Sequence, residues 1–270
     1  MASPRGIPDR ARLWDRYGRH AVTVMQRGPN PYIRHAAHHF IAFSGAPHVD
    51  LNQAALFGNA GPADVATIAD AARAADVPVL LARSATVTAD LSGLLLDAGF
   101  VQHEPEALFW MAGMPALVEN RFRVRRVQTE ADHRAMLALF EEAHGYAPSL
   151  TGPMFGRLVL DRGVTGWIAW DGDEAASFAL VTEGDPELGL FEVMTPPRHR
   201  RRGAASAVVR HALGQAAEVS RATATFFWAS PLGRPFYSAL GFAPVDTVDV
   251  WTLGANESDL RAVGVVPPGA

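Results

Sequence analysis

The stretch 195–209, TPPRHRRRGAASAVV, holds the residues of this chain best suited to chemistry. It follows a strand-like run and opens a helix-like one. A helix N-terminus presents backbone N–H groups without intrahelical acceptors, at the positive end of the peptide dipoles, and phosphate binds there. Gly203 has no Cβ to hold a ligand off the backbone. Ala204 and Ala205 keep the approach open, and Arg200, Arg201 and Arg202 bring positive charge. The loop therefore suits a diphosphate. Neither GxxxxGK(S/T) nor GxGxxG is present, so the loop is that of neither a nucleotide hydrolase nor a dinucleotide-binding fold. What is present is Arg-x-x-Gly-x-Ala, as Arg200-x-x-Gly203-x-Ala205, with Pro197 ahead of it. The arginine run has a plainer reading as a solvated helix start, or as a small nucleic-acid patch. A formal charge of −4 leaves no global basic field to support the latter.

Such a loop needs a strand before it and a helix after it. The run 188–194 predicts the strand. Residues 203–219 predict the helix, with Ala205, Val208, Val209, Ala212 and Leu213 inward. Upstream, 121–127 predicts a strand, and Thr129 caps a helix with Asp132 in the capping-box position. Met136, Leu139, Phe140 and Ala143 share one face of that helix, which Gly145 and Pro148 end. A second helix is expected over 151–160. Residues 164–170 and 176–182, joined by a DGD turn, predict a β-hairpin. Strand 223–229, short helix 233–240 and strand 245–253 follow, for an order β-α-α-β-β-β-α-β-α-β. The first half predicts a helix over 8–26 and a turn at RGPNPY. Strands 38–44 and 52–58, helix 64–75 and strand 77–82 come next. A helix over 91–98 stopped by Gly99 leads into extended chain over 101–111. LLLDAGF at 94–100 parallels FYSALGF at 236–242, each between a strand and an extended run, which points to a weak internal duplication with a linker over 112–120.

Two motifs together resemble the GNAT superfamily of acyl-CoA-dependent N-acyltransferases: the Arg-x-x-Gly-x-Ala loop, and ASPLGRPFYSALGF at 229–242, with a tyrosine, Tyr237, ahead of Leu-Gly-Phe. The resemblance covers about 122–253. It implies an α/β (α+β) fold with a mixed, mostly antiparallel sheet flanked by helices, in a tandem GNAT-like architecture. The domains would be 119–270, catalytic, and 1–118, degenerate. Acetyl-CoA would be the cosubstrate, its pyrophosphate held by the loop, with contacts at Val193, Met194, Thr195, Arg200, Arg201, Arg202, Gly203, Ala204, Ala205, Ser206 and Ser230. In such a family the strand before the loop splays from its neighbour and offers backbone groups, here at 193–195. Tyr237 would protonate the leaving thiolate, since a phenol can act as a general acid. Glu192 is the local candidate for the base. Strand alternation turns it toward either face, so a water chain or a merely structural pairing of Glu192 stays open. The acceptor would be the primary amine of a small molecule or a peptide, and a homodimer is open.

The N-terminal half departs from this pattern. Leu95 stands where Tyr237 would, and FGNAGPADV at 57–65 carries no Arg-x-x-Gly-x-Ala. That half is expected not to bind coenzyme A. The absence of cysteine excludes disulfides, thiolate zinc sites and a cysteine nucleophile, which favours direct transfer over a covalent enzyme intermediate. His35, His38 and His39 fit one helix face, but no acidic or cysteine ligand completes a site, so no metal is expected. The acidic turns at 171–174 and 183–187 read as solvated loops. No secretory leader or run of ~18 apolar residues is seen, which predicts a cytoplasmic protein without a membrane span. The rival functional class is a binding module that holds acyl-CoA as a sensor without transferring anything.

Overall fold

In the computed structural model, each half of the chain begins with antiparallel strands and ends with a strand–helix–strand unit. The structure describes residues 9–145, 148, 151, 152, 163–184, 186–256 and 260. The fold is mixed α/β, with mostly antiparallel sheet flanked by helices. The chain divides into two compact units, one of Met1–Phe109, Trp228–Pro235 and Ala243–Ala270, the other of Trp110–Phe227 and Phe236–Phe242.

In the first unit, helix α1 (Arg10–Met25) is capped by Asp9, whose carboxylate accepts the Arg12 amide at 3.2 Å. It packs on β2 (His39–Phe43) and β3 (Asn52–Leu56), both fully buried. The turn expected at RGPNPY is present, and a short exposed strand, β1 (Tyr32–His35), follows it and pairs antiparallel with β2. β3 runs parallel to β4 (Val79–Ser84), and α2 (Pro62–Ala75) connects them. α3 (Ser92–Asp97), β5 (Val101–Gln102) and the start of β6 (Glu106–Ala112) follow. The core between α2, α3 and the sheet holds Ile41, Leu56, Ile68, Leu81, Leu95 and Phe100. The last strand of the chain, β12 (Ala243–Leu253), pairs antiparallel with β4 and with β5. Its Trp251 is fully buried in that same core. The terminal strand expected over 245–253 is thus present, and it completes the sheet built by the first hundred residues.

The second unit orders its sheet as β11 (Ala224–Ala229), β10 (Glu187–Met194), β9 (Glu174–Glu183), β8 (Val164–Asp171), β7 (Arg123–Arg126). Only the β10–β11 pair is parallel. Gly172, at φ 63, makes the tight turn between β8 and β9. Helix α4 (Glu130–His144) has the predicted capping box: Asp132 N–H donates to Thr129 Oγ1 at 3.1 Å and Thr129 N–H to Asp132 Oδ2 at 3.1 Å. It ends at Gly145, φ 72, and sets Phe140 against Phe178 at 5.8 Å between ring centroids. Helix α5 (Ala204–Ser220) packs on β8, β9 and β10 through Val208, Val209, Ala212 and Leu213. Ala205 is only half-buried. Ala204 and Ala207 are buried in its place, and they join the predicted Val208, Val209, Ala212 and Leu213 on the inward stripe. Of the helix expected over 151–160, residues 153–160 lie outside the described residues. Helix α6 (Arg234–Ala239) precedes β12.

Candidate functional site

The site begins where β10 stops being regular. From Phe191, opposite Leu180, to Met194, opposite Phe178, β10 advances three residues against two, so one extra residue is inserted. Glu192 sits in this bulge at φ 48, a conformation non-glycine residues rarely take. The bulge overrides strand alternation: Glu192, Val193 and Met194 are all half-buried, where a regular strand would alternate. On the other side, the parallel register with β11 ends at Gly189 and Phe226, while β10 continues to Met194. The parallel pairing with β11 therefore ends before the segment that carries Glu192, Val193 and Met194.

The loop that follows is anchored by residues of β8 and β9. The Ser177 hydroxyl donates to the Met194 carbonyl at 2.7 Å and lies 2.9 Å from the Thr195 hydroxyl. A 3-10 turn, Pro197–His199, buries His199, whose Nε2 is 3.2 Å from Glu174 Oε1. Arg198 reaches the same carboxylate at 3.0 Å and also pairs with Glu142. Arg202 donates to Asp171 at 2.9 Å, a carboxylate shared with Arg121. Arg200 donates to the Thr195 carbonyl at 3.0 Å. Arg201, exposed and at φ 59, has no partner among the described residues. The acidic turn at 171–174, expected to be a solvated loop, instead holds the arginine loop in place. Sequence reasoning missed this role for Asp171, Glu174 and Ser177, because each lies 17 to 31 residues from its partner and only the β8–β9 hairpin brings them together.

Gly203 ends the loop at φ 89 and is the N-cap of α5, so no side chain caps the helix. The first α-helical bond runs from the Ala207 amide to the Gly203 carbonyl at 2.9 Å. The amides of Ala204, Ala205 and Ser206 precede it and have no intrahelical acceptor. Hydroxyl and guanidinium meet one turn in, where Arg210 Nε donates to Ser206 Oγ at 3.2 Å. The result is an uncapped helix N-terminus with an unpaired arginine beside it, a good anion seat.

Tyr237, on α6, stands in an aromatic cluster with Phe227 at 4.2 Å, Phe236 at 4.9 Å and Phe242 at 6.3 Å. Desolvation first, and the negative charge of Glu192 second, raise its phenol above the ordinary range. The phenol is therefore protonated throughout neutral pH, and the two sequence-predicted catalytic residues act on each other electrostatically. Ser230 belongs to the other compact unit, where its carbonyl accepts the Gly233 amide at 3.0 Å.

The first half carries the same scaffold without these features. Helices α3 and α6 stop identically. Gly99 at φ 93 and Gly241 at φ 98 are left-handed. The Phe100 amide donates to the Leu95 carbonyl at 2.9 Å and the Phe242 amide to the Tyr237 carbonyl at 3.1 Å, the long bond of a Schellman stop. But β3 keeps an unbroken register with β2, and its parallel pairing with β4 persists to its last residue, Leu56. The entrance of α2 is closed by the chain itself: Asp64 Oδ2 accepts the Gly61 amide at 2.8 Å and Oδ1 lies 2.6 Å from buried His39 Nδ1. Desolvation pushes the Asp64 carboxyl up, but the Gly61 amide and His39 and His38 outweigh it and hold it below its usual range. A carboxylate thus sits where α5 leaves room for a phosphate. Titrated calorimetrically, acetyl-CoA should saturate at one equivalent per chain; two equivalents would show that α2 binds as well.

The three histidines expected on one helix face lie instead on and between two strands, because β1 forms where helix was considered. His35 on β1 pairs with Asp15 at 2.8 Å, and His39 on β2 with Asp64. Among the described residues no cluster of three His, Asp or Glu is placed to hold a metal. No helix among them is long and apolar enough to cross a membrane.

Residues 133–242 match the sequence model of the acetyltransferase (GNAT) family. Among solved structures, the chain is similar to a GCN5-related N-acetyltransferase from Kribbella flavida, at 18% identity and TM-score 0.65, covering 90% of this chain and 96% of that one. It is similar to a tandem GNAT protein from the clavulanic acid biosynthesis pathway, at 14% identity and TM-score 0.55, covering 95% and 91%. A GCN5-related N-acetyltransferase from Sphaerobacter thermophilus matches at 16% identity and TM-score 0.56, over 82% and 79%. At these identities the likeness is one of fold. No curated protein matches the chain in sequence.

Proposed function

We propose that this chain, whose residues 133–242 form a GNAT-family domain, moves an acetyl (acyl) group from acetyl-CoA to a primary amine by direct attack within a ternary complex. The observation that carries the reading is the parting of β10 from β11 at the bulge that holds Glu192, immediately before an uncapped helix N-terminus. The residues fit the cosubstrate. The amides of Ala204, Ala205 and Ser206, with Arg201 beside them, offer donors and charge to a diphosphate. Gly203 leaves the backbone open to it. The backbone groups of Val193 suit an extended amide-bearing arm and the thioester carbonyl.

The chemistry then needs little more than positioning. Glu192, or a water it orders, takes the proton of the incoming ammonium. The amine nitrogen attacks the thioester carbon, and a backbone N–H at the opened strand steadies the oxyanion. The carbon–sulfur bond breaks, and the Tyr237 hydroxyl gives its proton to the departing sulfur. Nitrogen gives up two protons in all: the first passes through Glu192 to solvent, and the second, lost from the tetrahedral adduct, returns through water to the Tyr237 oxygen that has protonated the sulfur. The acceptor is a small-molecule or peptide amine.

Tyr237→Phe keeps the ring in its aromatic cluster and removes only the hydroxyl. Thioester cleavage with a panel of primary amines should then lose on the order of 10²-fold in kcat, with acetyl-CoA affinity unchanged. Unchanged turnover at every pH would remove Tyr237 from the mechanism. Saturable acetyl-CoA binding with no turnover by any amine would instead make the chain a module that holds the thioester without transferring from it.

A further inference from the structure

Ser177, on β9, is fully buried, and it belongs neither to the diphosphate seat nor to the reacting groups. Two register shifts flank it. Toward β8, Ala169 faces Ser177 while Trp170 faces Ala175, so β9 carries one extra residue there. Toward β10, Leu180 faces Phe191 and Phe178 faces Met194, so β10 carries the extra residue of the Glu192 bulge. Ser177 is therefore the residue of β9 next to the pair that closes this bulge. Its hydroxyl donates to the Met194 carbonyl at 2.7 Å. A hydroxyl has one proton to give, so in the 2.9 Å contact it is the Thr195 hydroxyl that donates, to Ser177 Oγ. The next carbonyl, that of Thr195, is taken by Arg200 Nε at 3.0 Å.

These bonds decide a register. The bulge holds Glu192 at φ 48, a conformation that costs energy in a residue with a Cβ. A strand sheds such a cost by slipping one residue into regular pairing, and the slip turns its side chains to the other face. After that slip Met194 would stand opposite Ser177, and Thr195 would be carried one position past it, onto the opposite face. The bond from the Thr195 hydroxyl to Ser177 thus belongs to the bulged register alone. The arginine loop beyond is pinned separately, by Arg198 and His199 on Glu174 and by Arg202 on Asp171. A slip at 192–194 would displace the segment that carries Glu192 and leave that pinning in place.

We propose that Ser177 is a positioning residue for acyl transfer: by taking the Met194 carbonyl and the Thr195 hydroxyl it locks the bulged register, and so sets Glu192 and the Val193 backbone at the thioester. The inference rests on the transferase reading above. Ser177 acts through its neighbours and touches neither substrate. Two tasks are then divided between two sets of residues. The arginine loop and the start of α5 hold the diphosphate, and Ser177 holds the reacting segment.

Ser177→Ala removes the hydroxyl and little volume. In the full chain, kcat for acetyl-CoA with a primary amine that the parent turns over should fall on the order of 10²-fold, as a small misplacement of reacting groups costs. The acetyl-CoA Kd, from calorimetry, should stay within about threefold of the parent. Thr165→Val is the matched control. It removes another buried hydroxyl from the β8–β9 hairpin, one that accepts the Trp167 indole N–H at 3.1 Å, and it should leave kcat within about twofold. Circular dichroism shows whether each variant is folded. An active parent with an equally active Ser177→Ala overturns this inference alone. A parallel loss of kcat and acetyl-CoA affinity overturns it too, since Ser177 would then support the whole loop. So does an equal loss of kcat in Thr165→Val, or an unfolded Ser177→Ala, either of which would make Ser177 a residue of the fold only. A parent that binds acetyl-CoA and turns over no amine overturns the transferase reading, and this inference with it.

Discussion

Gly203→Glu should abolish acetyl-CoA binding, raising Kd by at least about 100-fold, roughly 2.7 kcal/mol at ten-fold per 1.4 kcal/mol. Three effects of this one substitution add. The residue is left-handed at φ 89, so any side chain strains the loop. The new carboxylate lies at the N-terminus of α5, where it can satisfy the amides of Ala204, Ala205 and Ser206 itself. It also repels a diphosphate across a short distance. Asp64 at the head of α2 already shows this self-closing arrangement within the same chain. Gly203→Ala separates strain from charge. Its Cβ would lie 3.8 Å from Phe122, an ordinary contact, so it bears the backbone cost alone. It should bind within about tenfold of the parent. Isothermal titration of both variants, with circular dichroism to show that each is folded, makes the comparison. If the glutamate variant binds as the parent does, the phosphates lie elsewhere and the loop is scaffold only.

Asp246→Ala should destabilise the first unit by about 3 kcal/mol. This carboxylate of β12 is fully buried. It accepts the Trp14 indole N–H at 2.8 Å and the Ser84 hydroxyl, and faces the Arg10 guanidinium at 3.6 Å. It joins the last strand of the chain to the first helix and to β4. Alanine leaves the buried Trp14 indole N–H without its acceptor, sends the Ser84 hydroxyl to Thr86 Oγ1 alone, and strips Arg10 of its counter-charge. Asp246→Asn keeps one acceptor oxygen and should cost only about 1 kcal/mol. In thermal melts the alanine variant should unfold about 6–12 °C lower than the parent. A melting temperature within a degree of the parent would mean that Asp246 is not what fastens β12 to the first hundred residues.

Much of this molecule follows from local sequence. The phosphate loop, the α4 capping box and the Gly-Phe stops at Gly99 and Gly241 are each set by residues within a few positions of one another. Hydrogen bonds, dipoles and left-handed backbone act at that range, so residue type and spacing are enough to specify them. The paired Gly-Phe stops were legible in the same way. β8, β9 and β10 were legible as short, largely apolar runs bounded by turn signals, which fits strands buried on both faces.

What lay beyond the sequence was decided by contacts across long separations. Nothing in residues 187–194 signals an extra residue. The bulge exists because β9 holds Phe191 and Met194 in registers that differ by one, and it alone settles how Glu192 is placed. The acidic turn at 171–174 reads as solvent-loving until the β8–β9 hairpin brings it to Arg198 and Arg202. β1 is exposed at every residue, so no buried face marked it as a strand; only pairing with β2 makes it one. The partner of β12 could not be read either, because pairing choice depends on which strand edge the folded chain presents, and β4 presents its edge from 164 to 174 residues away. Glu106 shows the same division from the side of chemistry. As a residue type it is an ordinary carboxylate, and only its burial, with the nearby charge of Asp50, keeps its proton at neutral pH against the opposing pull of Trp228 and Arg234.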